Sequence, residues 1–158
     1  MMQNYQYVHN REKECYSQAI LAFKVAYDLY RKVERKARWR RFVCCLLRRS
    51  FLLPDLASTL ACGTSNNRAS AGIQAVDLEQ ILGSENRSQD FDQAFYPLNE
   101  KNRERWMRIA KLCLTGQSLP AVDLIQVGQK YYVRDGHHRV SVMRALGYKY
   151  IDANVTVW

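Results

Sequence analysis

A chain of 158 residues with 47% hydrophobic content is long enough for one ordinary domain plus an appendage, and too apolar to be a disordered tail. Its five cysteines (Cys15, Cys44, Cys45, Cys62, Cys113) are odd in number and contain no CxxC pair, which argues against a disulfide scaffold and a tetrahedral zinc site and fits a reducing cytoplasm. The formal charge of +9 is local: residues 31 to 49 hold nine basic side chains against the single acid Glu34, so the rest of the chain is nearly neutral.

Met1 to Glu14 is polar and does not read as a signal peptide. No run reaches the roughly 18 apolar residues that a transmembrane helix needs. Tyr5 to about Leu47 reads as one long helix or two, free of Pro and Gly. Ile20, Phe23, Tyr27 and Tyr30 recur at helical steps, and Trp39, Phe42, Val43, Leu46 and Leu47 give the basic part an apolar side. Three readings stay open for that part. It is a solvated face of a helix packed on the domain, or a nucleic-acid or acidic-partner contact through Arg35, Lys36, Arg38, Arg40 and Arg41, or an element lying on a membrane surface.

Leu52 to Leu56 can open a short helix. The small and polar run that follows it up to Gly72 is the best linker in the chain. The expected organisation is therefore an Arg-rich helical segment over 1–62, a linker over 63–72 and a second part over 73–158. That part opens with an edge-like strand, Ile73 to Val76, and Asp77 is placed to cap a short helix over Leu78 to Leu82. Gly83-Ser84-Glu85-Asn86-Arg87 is then a polar loop. Asp90 to Pro97 supplies aromatic anchors for it. A helix from about Asn99 to Thr115 carries Trp106, Ile109, Ala110, Cys113 and Leu114 on one face and stops at Gly116. Ala121 to Val127 and Lys130 to Arg134 form a hairpin about Gly128-Gln129, and Ile151 to Trp158 is a final strand.

Between the last two strands the pattern changes period. The β-rich run ends at Asp135-Gly136, and Val140, Met143 and Leu146 then recur at helical spacing up to Gly147. A strand that feeds a helix through a tight turn aims the free N–H groups of the first turn, and the positive end of the helix dipole, at one point. The corner is either a plain structural turn or an anion site. As a site it would use Gly136, His137, His138 and Arg139 toward a phosphate, with Ser84 and Arg87 extending the contacts and Asp135 holding a metal or accepting a proton. Strand alternation turns Arg134 away from Asp135.

From Ile73 to Trp158 this order of elements resembles the ParB/sulfiredoxin superfamily, and nothing before Ala71 does. Asp135-Gly136-His137-His138-Arg139 stands where ParB proteins have Gly-Glu-Arg-Arg and sulfiredoxins Gly-Gly-Cys-His-Arg, a turn that holds nucleotide phosphates in the family. Gly83 to Arg87 falls where ParB proteins carry a first box with an arginine. The resemblance implies an α+β fold, with a helical N-terminal segment followed by a small mixed sheet with helices, and a nucleotide (ATP, ADP or CTP) as ligand. His137 replaces the sulfiredoxin cysteine, so sulfinic acid reduction is not expected. A ParB clamp needs a helix-turn-helix reader after this domain, and the chain stops at Trp158, so a clamp is not expected either. The turn is most similar to that of the ADP-dependent kinases of free serine, which implies catalytic carboxylates at Asp135 and Glu85 with Mg²⁺ as companion. Three functions remain: a nucleotide-binding regulatory or interaction module, which is favoured, a nucleotide-dependent phosphotransferase, and nonspecific DNA binding through the basic residues 31 to 49. An oligomer is compatible with each.

Overall fold

The computed structural model describes residues 2–60 and 68–158 of the chain, with side chains from Tyr16 onward. The first helix, α1, is one continuous span, Met2–Leu46, because no Gly or Pro interrupts its 45 residues. A second helix, α2 (Leu56–Leu60), precedes the first strand, β1 (Ala69–Asp77). Then come β2 (Ile81–Ser84), α3 (Arg103–Leu114), β3 (Val122–Val127), β4 (Lys130–Asp135), α4 (His137–Leu146) and β5 (Tyr150–Val157). The architecture is α+β, as expected: a helical N-terminal segment and a five-stranded mixed sheet ordered β1-β5-β3-β4-β2. Among the described residues no helix is long and apolar enough to cross a membrane.

The hairpin forms where Gly128 takes a positive φ of 60° between β3 and β4. β2 adds to β4 in parallel, with Gly83 opposite Tyr132 and Ser84 opposite Val133, so the two strands end side by side. A Cβ on Gly83 would collide with the Pro54 carbonyl and lie 2.7 Å from the Tyr132 ring, so only glycine lets β2 sit that close. The short helix expected over Leu78 to Leu82 is instead one 3-10 turn, Leu78–Gln80, running directly into β2. Asp77 does cap it, accepting from the Glu79 N–H at 2.9 Å. Ile81 and Gly83 go to the buried sheet because pairing with β4 outweighs local helix propensity.

The sheet packs on both faces. Val122, Leu124, Val133 and Val155 meet Val140 of α4, together with Phe91 and Phe95, whereas Ile125 and Tyr132 meet Leu56 of α2. The opposite side of α4 presents Val142 to Trp106, Met107 and Ala110 of α3 and to Ala26, Tyr30 and Val33 of α1. The N-terminal helix is thus an outer layer on the same core. The linker expected over 63–72 lies outside the described residues up to Asn67, and β1 already begins at Ala69, pairing Ala69 with Val157.

The apolar stripe of α1 is not where bulk alone places it. Ala22, Ala26, Tyr30, Val33 and Ala37 are buried, while Ile20 and Phe23 are exposed. Small side chains let the α1 backbone approach α3 closely, and Tyr30 then reaches the Trp106 ring edge-on, with centroids 5.5 Å apart.

Candidate anion site at the start of α4

Gly136 turns the chain from β4 into α4 with φ +97° and ψ 19°, a left-handed conformation that a side chain makes costly. A Cβ here would also sit 2.5 Å from Val122 Cγ1, so the turn is seated against β3 as well as bent. Among the described residues no side chain caps the helix that follows. Val140 N–H donates to the Gly136 carbonyl at 3.0 Å, and the amides of His137, His138 and Arg139 have no acceptor among the described residues. Three N–H groups at the positive end of a ten-residue helix are the physical basis of an anion site.

Ser84 and His137 fasten the loop after β2 to this corner. Ser84 Oγ accepts from the amides of Asn86 (3.2 Å) and Arg87 (2.8 Å) and lies 2.7 Å from His137 Nε2. With both lone pairs taken, the hydroxyl proton goes to Nε2, so His137 is the neutral tautomer that carries its proton on Nδ1. Phe91 stacks on the His137 ring at 5.7 Å between centroids and meets His138 edge-on at 5.2 Å. His137 is 2% exposed and His138 4%. Burial is the main reason that both are pushed down to about 4, and the cationic charges of Arg87 and Arg105 add to it. Both imidazoles are therefore neutral at pH 7. His138 Nδ1 is buried and has no partner among the described residues.

The remaining expected site residues divide. Arg87 pairs with Asp90 at 3.3 Å on the exposed rim and acts electrostatically on both histidines, as does Arg105 of α3. Asp135 is 60% exposed at its side chain and bound to Arg139 at 2.8 Å, and its charge also reaches His137. Arg139 is committed to the protein: beyond Asp135 it donates to the carbonyls of Pro120 and Ala121, both at 2.7 Å. It lines a cavity of about 300 Å³ with Cys113, Pro120, Met143 and Tyr148. Glu85 turns to Arg134, 3.0 Å from its Nε. Arg134 and Asp135 alternate along β4, so the partners of Glu85 and Asp135 lie on opposite faces.

The structure therefore brings together Ser84, His137, His138, Arg87 and Asp135 around Gly136. It turns Glu85 to Arg134, and it keeps Arg139 beside Gly136 with its guanidinium bound to Asp135, Pro120 and Ala121. Among the described residues no three metal-ligating side chains gather. Mg²⁺ bound beside a phosphate needs only one or two carboxylates, a demand Asp135 alone can meet. Arg105 was not singled out from the sequence, where it is one of two cations in Arg103-Glu104-Arg105. Nor was Arg144, whose Nη2 donates to the carbonyls of Leu78 and, at 2.6 Å, Ile81, tying α4 to the start of β2.

In the basic segment, three of the five residues expected to meet nucleic acid face protein groups. Arg38 lies 3.5 Å from Glu34 and Arg40 3.5 Å from buried Asp92, and Arg41 donates to the Leu98 carbonyl at 3.5 Å. Arg35 and Lys36 are exposed.

No family model and no curated protein matches the chain. Among solved structures it is similar to the sulfiredoxin from Arabidopsis thaliana, at 24% identity over 52% of this chain and 82% of that one, with a TM-score of 0.35.

Proposed function

We propose that this chain is a ParB/sulfiredoxin-like module that binds a nucleotide through its phosphates and serves a regulatory or interaction role, with α1 as a basic extension. The observation that carries this reading is the set of unaccepted amides on His137, His138 and Arg139, which suit an oxyanion. Arg87 and Arg105 supply positive charge at the rim, and His138 Nδ1 supplies a buried polar atom with no partner among the described residues. Ser84 and His137 act as positioning residues that hold the Asn86-Arg87 loop over the turn. Arg139 acts through Asp135 and β3, holding the corner rather than the ligand.

The alternative is a nucleotide-dependent phosphotransferase using Asp135 and Glu85. The exposed carboxylate of Asp135 suits it, and the pairing of Glu85 with Arg134 weighs against a second carboxylate at the same point. Nonspecific DNA binding through residues 31–49 is a third reading, supported by the charge and by the exposure of Arg35 and Lys36.

Titration calorimetry with CTP, ATP and ADP, with and without Mg²⁺, tests the first reading. It expects binding that weakens about tenfold or more when Arg87 and Arg105 are both replaced by Gln, with no turnover and little change for Asp135→Asn. Turnover abolished by Asp135→Asn supports the enzyme instead. Duplex retention that disappears when Arg35 and Lys36 are replaced supports the third reading.

A further inference from the structure

The last third of α1 carries an apolar row that the fold does not use. Trp39, Phe42 and Leu46 are spaced three and four residues apart, so they share one side of the helix. They are 67%, 62% and 73% exposed, and the Trp39 and Phe42 rings lie together at 6.0 Å between centroids. The buried side is set by Tyr30, Val33 and Ala37. At about 100° per residue, Trp39 stands roughly 200° from Ala37, so the row points directly away from the core.

Cations border this row. Arg35, one turn before Trp39, and Arg49, just past the helix end at Leu46, have no acid within salt-bridge distance among the described residues. Among the described residues Arg38 keeps only a surface pair with Glu34. Arg40 and Arg41, which point back toward Asp92 and Leu98, are the cations spent on the fold.

We propose that this outward face of α1 docks on an anionic lipid surface. Two properties must be satisfied together: three large apolar side chains need to leave water, and the cations beside them need negative charge. A duplex groove offers phosphates without an apolar phase. A second copy of the same face would bring like charges together. A headgroup layer takes Trp, Phe and Leu into the acyl boundary while guanidinium groups stay at the lipid phosphates. The helix lies on the surface and does not cross it.

The test is cosedimentation of the full chain with vesicles of phosphatidylcholine alone and of phosphatidylcholine with phosphatidylserine. Binding to the second and little to the first is expected. Affinity should fall at least about tenfold in a Trp39→Ser, Phe42→Ser, Leu46→Ser triple variant, and by a similar factor in Arg35→Gln, Arg38→Gln, Arg49→Gln. A measurement on the unaltered apolar face avoids dependence on the folding of the triple variant: brominated lipid should quench a fluorescence component that is missing in Trp39→Phe. Absence of binding to anionic vesicles, or no quenching difference between the parent and Trp39→Phe, overturns the proposal. So does an apolar triple variant that binds vesicles normally but turns a dimer into a monomer. Arginine replacement that abolishes duplex retention while leaving vesicle binding intact assigns the face to nucleic acid and also overturns it.

Discussion

Ser84 Oγ and His137 Nε2, 53 residues apart in sequence, are joined by a 2.7 Å hydrogen bond in the interior, and the same oxygen caps two amides of the following loop. This contact makes the end of β2 and the start of α4 one structural unit. It also makes Ser84 more consequential for stability than a loop serine. Ser84→Ala strands a buried imidazole nitrogen and two N–H groups, and it should destabilise the chain by about 2–4 kcal/mol, read as a lower urea midpoint with an unchanged slope.

The two neutral histidines set a pH dependence. Their folded values of about 4 lie below the ordinary 6.5, so the unfolded chain binds more protons between those limits. Their contribution is complete above pH 6.5 and is lost as pH falls toward 4, by at most about 3 kcal/mol for each. Asp92, which burial holds above its ordinary 3.8, works in the opposite direction as pH rises through its folded value. Urea unfolding at pH 7 and pH 5 should show lower stability at pH 5, and a His137→Gln, His138→Gln variant should flatten the difference.

Gly136→Ala combines an unfavourable φ with the approach to Val122. A loss of about 2–4 kcal/mol is expected. Measured in a Val122→Ala background, whose own cavity cost is common to both chains compared, the loss should shrink by the part that comes from the Cγ1 contact and keep the part that comes from the left-handed backbone. A Gly136→Ala change that costs nothing in that background would assign the whole effect to packing.

Arg144 is half-buried, stacks 4.7 Å from the Phe95 ring centroid and satisfies the carbonyls of Leu78 and Ile81. Arg144→Met keeps much of the bulk and removes the donors, so a loss of about 2–4 kcal/mol is expected. Chemical denaturation measures the loss, and amide exchange should accelerate first at Leu78 to Ile81.

The hairpin and the helix after Gly136 were readable because their evidence is local: Gly128 and Gly136 stand where the side-chain period breaks. The face of α3 centred on Trp106 and Ala110 was readable for the same reason. The buried side of α1 was not. Scoring by bulk selects Ile20 and Phe23, whereas close helix approach selects Ala22, Ala26 and Ala37. The pairing of Glu85 with Arg134 depends on β2 lying parallel to β4, a long-range register that no short stretch of sequence encodes. Arg105 reaches the histidines only because α3 folds back along α4. The commitment of Arg139 to Pro120 and Ala121 likewise follows from where β3 begins.

The most direct measurement is a nucleotide titration followed by amide NMR with the chain labelled in nitrogen-15. If α4 begins at an anion site, the His137, His138 and Arg139 amide signals should move together and saturably on adding CTP, ATP or ADP. The indole signal of Trp106, bonded to Ser141 at 2.8 Å, should stay in place. Saturable shifts elsewhere with these three amides unmoved, or no shifts with any of the three nucleotides, would contradict the account.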